Sequence, residues 1–508
     1  MKHESTLKKS ALNLTFNIAS MAVSMGLSFW ITPYLTNSIG SEAYGLIPLT
    51  QQFINYLTVI TVSITSISGR FFSIARRRGS LQESQEYFSS TLYATAIVCI
   101  LLSVPFILSV FAIDKIINIP DGFLEDVQKT QVIFIAVFLI TFITSAFNDG
   151  PFSENKLFYT SGINIINILI KTAVTVSLCL CFRPKIWFVS AGVLVGAAVA
   201  LILSILAFKR LIPDVKISFK PHNRVREILS SGIWISISEI GVILFLQIDL
   251  FVSNHFVPLR EAGEYAVVLQ LPTILRTFSG SIISIFVPVV VALFAQGKMD
   301  EMKAYVNNAV KYTGIVLSLP IGILCGLGGT LLSLWINPGF AKYQLVLSIL
   351  TMHLPINLSV QAITSIQTAM AKLKIPAFVT LIMGCVNFGL ACLLAGPLKM
   401  GVLGIAIAGG IVLTCKNLLF TPIYAAHITG SKWYTYFLGV VKPFFTTIIV
   451  SLFCYIIQQT VHIPNLLAFI GVCCVVGMIY LVFVWFVMIN KSERTQFIEF
   501  IMKKMKRA

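Results

Sequence analysis

Four charged side chains stand in sequence otherwise too apolar to accommodate them: Lys171, Glu239, Asp249 and Arg276. If those stretches cross a bilayer, a charge at the centre costs at least about 2.5–3.5 kcal/mol on insertion scales, so each marks a site by default. Arg276 lies midway along one stretch and Lys171 midway along another, after Asn164 and Asn167, and neither can snorkel easily from that depth. An Arg fork matches phosphate oxygens in pairs, so both cations suit the wall of a cavity holding a phosphate-bearing substrate. The competing reading is an internal ion pair, such as Arg276 with Glu239. Glu239 itself could titrate or bind a cation, which makes it the first candidate for coupling to an ion gradient. Asp249 is a second coupling candidate, with a structural hydrogen bond or an interfacial salt bridge as its alternative.

Uncharged polar residues add a stripe. Asn13, Asn17, Ser20, Ser24 and Ser28 recur every three or four positions, one face of a helix. Such a stripe either packs against small-residue neighbours or lines a wet cavity. Two asparagines favour the cavity, with Asn17 and Ser24 as substrate-lining residues. Gly232, Ser236 and Glu239 follow the same spacing later in the chain.

The elements that must position these residues follow from composition. The chain has 508 residues, 57% hydrophobic and 11% charged, with a mean hydropathy of +0.89. A soluble protein carries about 25% charged residues, and the deficit here runs along the whole chain, so the fold class is an all-α polytopic membrane protein. Apolar stretches of about 20 residues number about fourteen, near 13–35, 46–69, 90–113, 130–151, 157–182, 186–208, 229–257, 264–294, 310–336, 343–368, 376–396, 401–425, 434–457 and 464–489. The fifth and sixth divide at Arg183-Pro184-Lys185. No cleavable signal peptide is expected, because the first apolar run is too long for one.

The net charge of +17 is a topology signal rather than a nucleic-acid footprint. Outside segments hold only Lys115, Lys129, Arg183, Lys185, Arg260, Lys342 and Lys399 once both termini are placed in the cytoplasm, as the positive-inside rule requires. The tail from 495 to 508 alternates Phe497, Ile498, Phe500, Ile501 and Met505 with Lys503, Lys504, Lys506 and Arg507. That suits an amphipathic helix on anionic lipid, or equally a frayed polar end. All ten cysteines lie in apolar segments, where Cys acts as a small hydrophobe; neither disulfides nor a metal site is expected.

A weak internal repeat is present. Gly40-Ser41-Glu42-Ala43-Tyr44-Gly45 has a counterpart in Glu261-Ala262-Gly263-Glu264-Tyr265-Ala266, and Glu154-Asn155-Lys156-Leu157-Phe158 in Met370-Ala371-Lys372-Leu373-Lys374. Each copy begins on the same side, so the repeats are parallel. The expected domains are an N-terminal six-helix lobe at 1–208, a cytoplasmic linker at 209–228, a C-terminal six-helix lobe at 229–425, two further helices at 426–489 and a basic tail at 490–508. The lobes are expected to face each other across a central cavity. There is no P-loop, HExxH or GxSxG with triad partners, and no loop long enough for a soluble catalytic domain; no cofactor and no catalytic residue is expected.

Three motifs carry a resemblance. Ile31-Thr32-Pro33-Tyr34-Leu35 with Ile39 to Gly45, then Gln247-Ile248-Asp249 with Gly263-Glu264-Tyr265, and then Gly401 to Ala408 resemble, in order and spacing, the Wzx-type polysaccharide flippases. That group lies in the superfamily that also holds the MATE-type antiporters and the lipid II flippases. The resemblance implies alternating access, transport of an undecaprenyl-pyrophosphate-linked oligosaccharide across the bacterial cytoplasmic membrane, and work beside a polymerase and glycosyltransferases. It assigns the pyrophosphate to cationic cavity positions, which Arg276 and Lys171 match here. Span one lacks the Arg of lipid II flippases, which counts against that substrate and leaves O-antigen, capsule or exopolysaccharide units open. A MATE-like drug or cation antiporter is the alternative, disfavoured by the two cations. A membrane polymerase or glycosyltransferase is the other, disfavoured because the outer loop holding Asp121, Glu125 and Asp126 is too short to shape a sugar site. Reporter fusions after Arg78 and after Asp121 are expected to report the cytoplasm and the exterior respectively; the reverse result overturns the orientation.

Overall fold

The structure, a computed structural model, describes residues 2–56, 58–216, 224–370, 372–489 and 494–495. The basic tail and the middle of the 209–228 linker lie outside the described residues. Among those described there is no strand. Hydrocarbon offers no water to satisfy a backbone N–H or C=O, and a helix bonds all of its own.

The helices are α1 (Lys2–Ile39), α2 (Ser41–Asn55), α3 (Thr58–Arg77), α4 (Leu81–Phe111), α5 (Leu124–Phe147), α6 (Asp149–Ser153), α7 (Phe158–Cys181), α8 (Trp187–Leu211), α9 (Arg224–Leu246), α10 (Asp249–Phe256) and α11 (Leu259–Val268). They continue with α12 (Gln270–Ala295), α13 (Met299–Trp335), α14 (Gln344–Met352), α15 (Leu354–Ser359), α16 (Thr364–Ala369), α17 (Lys374–Ala395), α18 (Gly401–Cys415), α19 (Thr421–Ile428), α20 (Leu438–Thr460) and α21 (Leu466–Phe483). By packing, Met1–Val267 with Leu373–Gly409 forms one compact unit, and Val268–Lys372 with Gly410–Ala508 forms a second.

Twelve helical stretches are long and apolar enough to cross a membrane, and Ser236–Leu246 with Asp249–Phe256, bent by 44° at the break, passes as a pair. Among the described residues, twelve or thirteen of the expected fourteen pass this test of length and apolarity, and the count of fourteen is not confirmed. The stretch that does not pass is 46–69, which is covered by two helices, α2 and α3. Its first piece has 15 residues, too few to span. Its second carries Thr58, Thr61, Ser63, Thr65, Ser66, Ser68 and Arg70, which hold its hydropathy down. The expected division at Arg183-Pro184-Lys185 is where α7 ends and α8 begins.

In the first unit, α7 lies along α8, α5 packs on α8, and α9 packs on both α3 and α17. Ser80 opens α4 by accepting a hydrogen bond from Glu83 N at 3.2 Å, a capping box in outline. Phe72, Phe88, Phe147 and Phe208 form a buried aromatic cluster, with Phe88 and Phe208 stacked at 4.3 Å. Offset aromatic pairs add to plain burial, and this cluster locks α3, α4, α5 and α8 together. In the second unit α13 is the central element, flanked by α12, α14 and α20.

The two copies of the repeated motif pack on each other within the first unit. A Cβ on Gly45 would lie 2.5 Å from the Gly263 Cα, and one on Gly263 would strike the Ser41 carbonyl oxygen. Only glycines permit that approach of α2 and α11. Tyr44 and Tyr265 beside them are buried. Nearby, Asn118 N donates to Asn254 Oδ1 at 2.7 Å, and the two side-chain amides donate to each other's carbonyls at 2.8 and 3.0 Å. Tyr56 donates to the Gln247 carbonyl at 3.1 Å, and Ser236 to that of Val59 at 2.9 Å. The first of these two bonds satisfies a backbone acceptor at the break between α9 and α10.

The same substitution should therefore have opposite effects at two helical glycines. Gly26 meets nothing within 4 Å of a built Cβ, so Gly26→Ala is expected to leave thermal stability unchanged or raise it, since Ala is favoured over Gly by about 1 kcal/mol in a helix. Gly45→Ala is expected to lower it; thermal unfolding of the purified variants in detergent checks both.

Candidate functional site

One polar group in the second unit is built on His353. The stretch 338–369 is not one helix: α14 stops at Met352, α15 starts at Leu354, and Pro355 stands in the first turn of α15. Proline removes a backbone donor and clashes with the preceding turn, which explains why the helix breaks there. The break carries His353, and one turn on stands Asn357, which is 1% exposed.

Asn357 is the hub. Its Nδ2 lies 2.7 Å from His353 Nδ1 and donates to Thr414 Oγ1 at 3.1 Å. Its Oδ1 accepts from Asn417 Nδ2 at 3.1 Å, and Asn417 Oδ1 in turn accepts from Thr421 at 3.4 Å. These bonds orient the Asn357 amide, so its nitrogen faces the imidazole and Nδ1 accepts. A neutral His353 then carries its proton on Nε2. Asn417 reaches the hub from a π turn, Lys416–Phe420, inserted between α18 and α19; such turns recur at functional sites. A Cβ on Gly410 would lie 3.2 Å from His353 Cδ2, so glycine there makes room for the ring.

Arg276 stands half-buried on α12 of the same unit. The network itself is built of an imidazole, two amides and two hydroxyls. The sequence reading named Arg276 but missed His353, Asn357 and Asn417. The available signal was the occurrence of His and two Asn inside apolar runs at mid-span.

In the first unit the polar stripe divides. Asn13 Oδ1 accepts from Phe158 N at 2.9 Å, and its amide donates to Asn155 O and Oδ1 at 3.2 Å each, so it closes the first turn of α7. Ser20 accepts from Asn164 Nδ2 at 2.8 Å. These two bind α1 to α7 and are structural. Asn17 is exposed and Ser24 half-buried. Lys171 is half-buried on α7 and makes no ion pair or hydrogen bond among the described residues of its unit. The same holds for Glu239 on α9. Asp249 is buried at the first position of α10, just after the 44° bend. A carboxylate there complements the unpaired N–H groups of a helix N-terminus, and its charge reaches Tyr56.

Comparisons with known proteins follow the same lines. The family model described as polysaccharide biosynthesis protein matches residues 10–294. An uncharacterized membrane protein of Bacillus subtilis (strain 168), EpsK, is 36% identical over 488 residues, covering 96% of this chain and 97% of that protein. Among solved structures, the lipid II flippase MurJ in an inward closed conformation aligns with a TM-score of 0.63 at 16% identity, covering 94% of this chain and 98% of that one. An inward-facing multidrug resistance MATE family transporter aligns at 0.59 and 12% identity, covering 83% and 99%. At those identities the structures share the fold alone.

Replacing the hub tests the network. Asn357→Ala leaves the donor of Asn417 without its acceptor in a buried site, an imbalance worth about 1–3 kcal/mol, and is expected to lower the melting temperature of the purified protein. An unchanged melting temperature would show that the network does not hold α15 to the π turn.

Proposed function

Because the chain belongs to the polysaccharide biosynthesis protein family, we propose that this multi-pass membrane protein is a flippase for an undecaprenyl-pyrophosphate-linked oligosaccharide, working by alternating access in the bacterial cytoplasmic membrane. What supports the reading is Arg276, half-buried on α12 in the unit that also holds the His353–Asn357–Asn417 network. A pyrophosphate offers many acceptor oxygens and negative charge, which a guanidinium complements. Lys171, Asn17 and Ser24 are proposed as further substrate-binding residues, and the lobes are proposed at 1–208 and 229–425 with both termini cytoplasmic.

Unaided, an oligosaccharide head group crossing hydrocarbon would leave many hydroxyls without water, at a cost of several kcal/mol each. A polar path open to one side at a time removes most of that cost while the lipid tail stays in the bilayer. Glu239 is the proposed coupling residue, with Asp249 a secondary candidate and a helix-terminus role as its alternative. A polymerase and glycosyltransferases are the expected partners, since they make and consume the lipid-linked unit.

Arg276→Ala is expected to abolish surface glycan in cells at normal protein level, because truncating one side of a buried charged pair costs about 2–5 kcal/mol. Arg276→Lys, which keeps the charge and loses the fork, should retain part of it. Unchanged glycan in Arg276→Ala removes this residue from the substrate site.

A further inference from the structure

A second buried polar group lies in the first unit, away from every residue assigned above. Asp149, the first residue of α6, is 5% exposed. Ser68 of α3 donates a short hydrogen bond to its Oδ2. Ser68 in turn shares a 2.8 Å hydrogen bond with Thr91 of α4, whose hydroxyl also reaches the Tyr87 carbonyl at 2.9 Å. Ser68 and Thr91 are each 1% exposed. One hydroxyl, Ser68 Oγ, therefore contacts the carboxylate, and Thr91 Oγ1 is bonded to Ser68 behind it. Ser68 stands nine residues before Arg77, about 14 Å along α3.

The charges on the surrounding elements are engaged or distant. On α3, Arg70 is exposed, while Arg76 pairs with Asp214 and, at 3.8 Å, with Glu154. On α4, Glu86 takes Arg224 of α9 at 3.3 Å, and Glu83 sits in the first turn. Lys209 and Arg210 of α8 are exposed in its last turn. Glu125, Asp126 and Lys129 belong to the opposite end of α5, with Lys129 bonded to Glu125 at 2.5 Å. Lys171 of α7 and Glu239 of α9 make no bond to Asp149. Among the described residues no cation lies within ion-pair distance of this carboxylate.

A carboxylate without water is penalised by several kcal/mol, and one hydroxyl donor does not offset that. A bound positive charge does. We propose that Asp149, Ser68 and Thr91 form a binding site for one monovalent cation, either a proton or sodium. Either neutralises Asp149: a proton by bonding one carboxyl oxygen, sodium by taking oxygen lone pairs of the carboxylate and of the neighbouring hydroxyls. Its role as a coupling site rests on the flippase reading; its existence as a binding site does not.

The test uses the full-length protein purified into lipid nanodiscs, without substrate. Infrared difference spectra across a pH titration follow the carbonyl stretch of a protonated carboxyl, and thermal unfolding with added sodium chloride against choline chloride follows sodium. The wild type is expected to respond in one arm, which tells proton from sodium. Asp149→Asn is expected to lose that response, and Ser68→Ala, which leaves the carboxylate in place, to shift its midpoint several-fold in ion concentration. A wild type silent in both arms, or a response shared equally by wild type and Asp149→Asn, overturns the site. Glycan display in Arg276→Ala is a separate readout, so failure of either reading is recognisable by itself.

Discussion

A polar group in hydrocarbon needs a partner, and most of this molecule can be derived from that rule. It forces the backbone into helices. It also explains why side chains cluster at irregular backbone. The Gln247 carbonyl at the break after Leu246 accepts from the Tyr56 hydroxyl, and the break at His353 carries the imidazole that Asn357 engages. Among the described residues, Lys171 and Glu239 make no bond within their unit, and Asp149 has one hydroxyl donor, Ser68.

This rule also separates structural from functional polarity better than periodicity does. Asn13, Ser20, Asn17 and Ser24 are indistinguishable on a helical wheel. In the structure the first two are used to fasten α1 to α7, whereas Asn17 stays exposed. A helix face specifies direction, and the partner on the other side decides what the direction is for.

Much of the fold was legible in the sequence because hydropathy is local. Twelve of the apolar runs are helices able to span, and the bent pair covers 236–256. The breaks were not legible: 229–257 reads as one continuous apolar run, and nothing in its composition marks the 44° bend at Gln247-Ile248. The segment 46–69 is covered by two helices, and scattered Ser and Thr lower the apolarity of the second. The site was only partly readable. Arg276 declared itself by its charge, but the bond between Asn357 and Asn417 joins residues sixty positions apart, and no spacing rule reaches that far. The sequence reading did not single out Asp149, because its burial depends on α3 and α4, which sequence order alone does not place.

The π turn at Lys416–Phe420 holds one more residue than an α turn would. Each residue advances a helix by about 100°, so a regular α-helix through this stretch would carry Asn417 away from Asn357. The hydrogen bonds to Asn357 and the winding of the span are therefore two views of one quantity. Whatever tightens the π turn into a regular α turn breaks the contact to the histidine network, and whatever holds that contact favours the π turn.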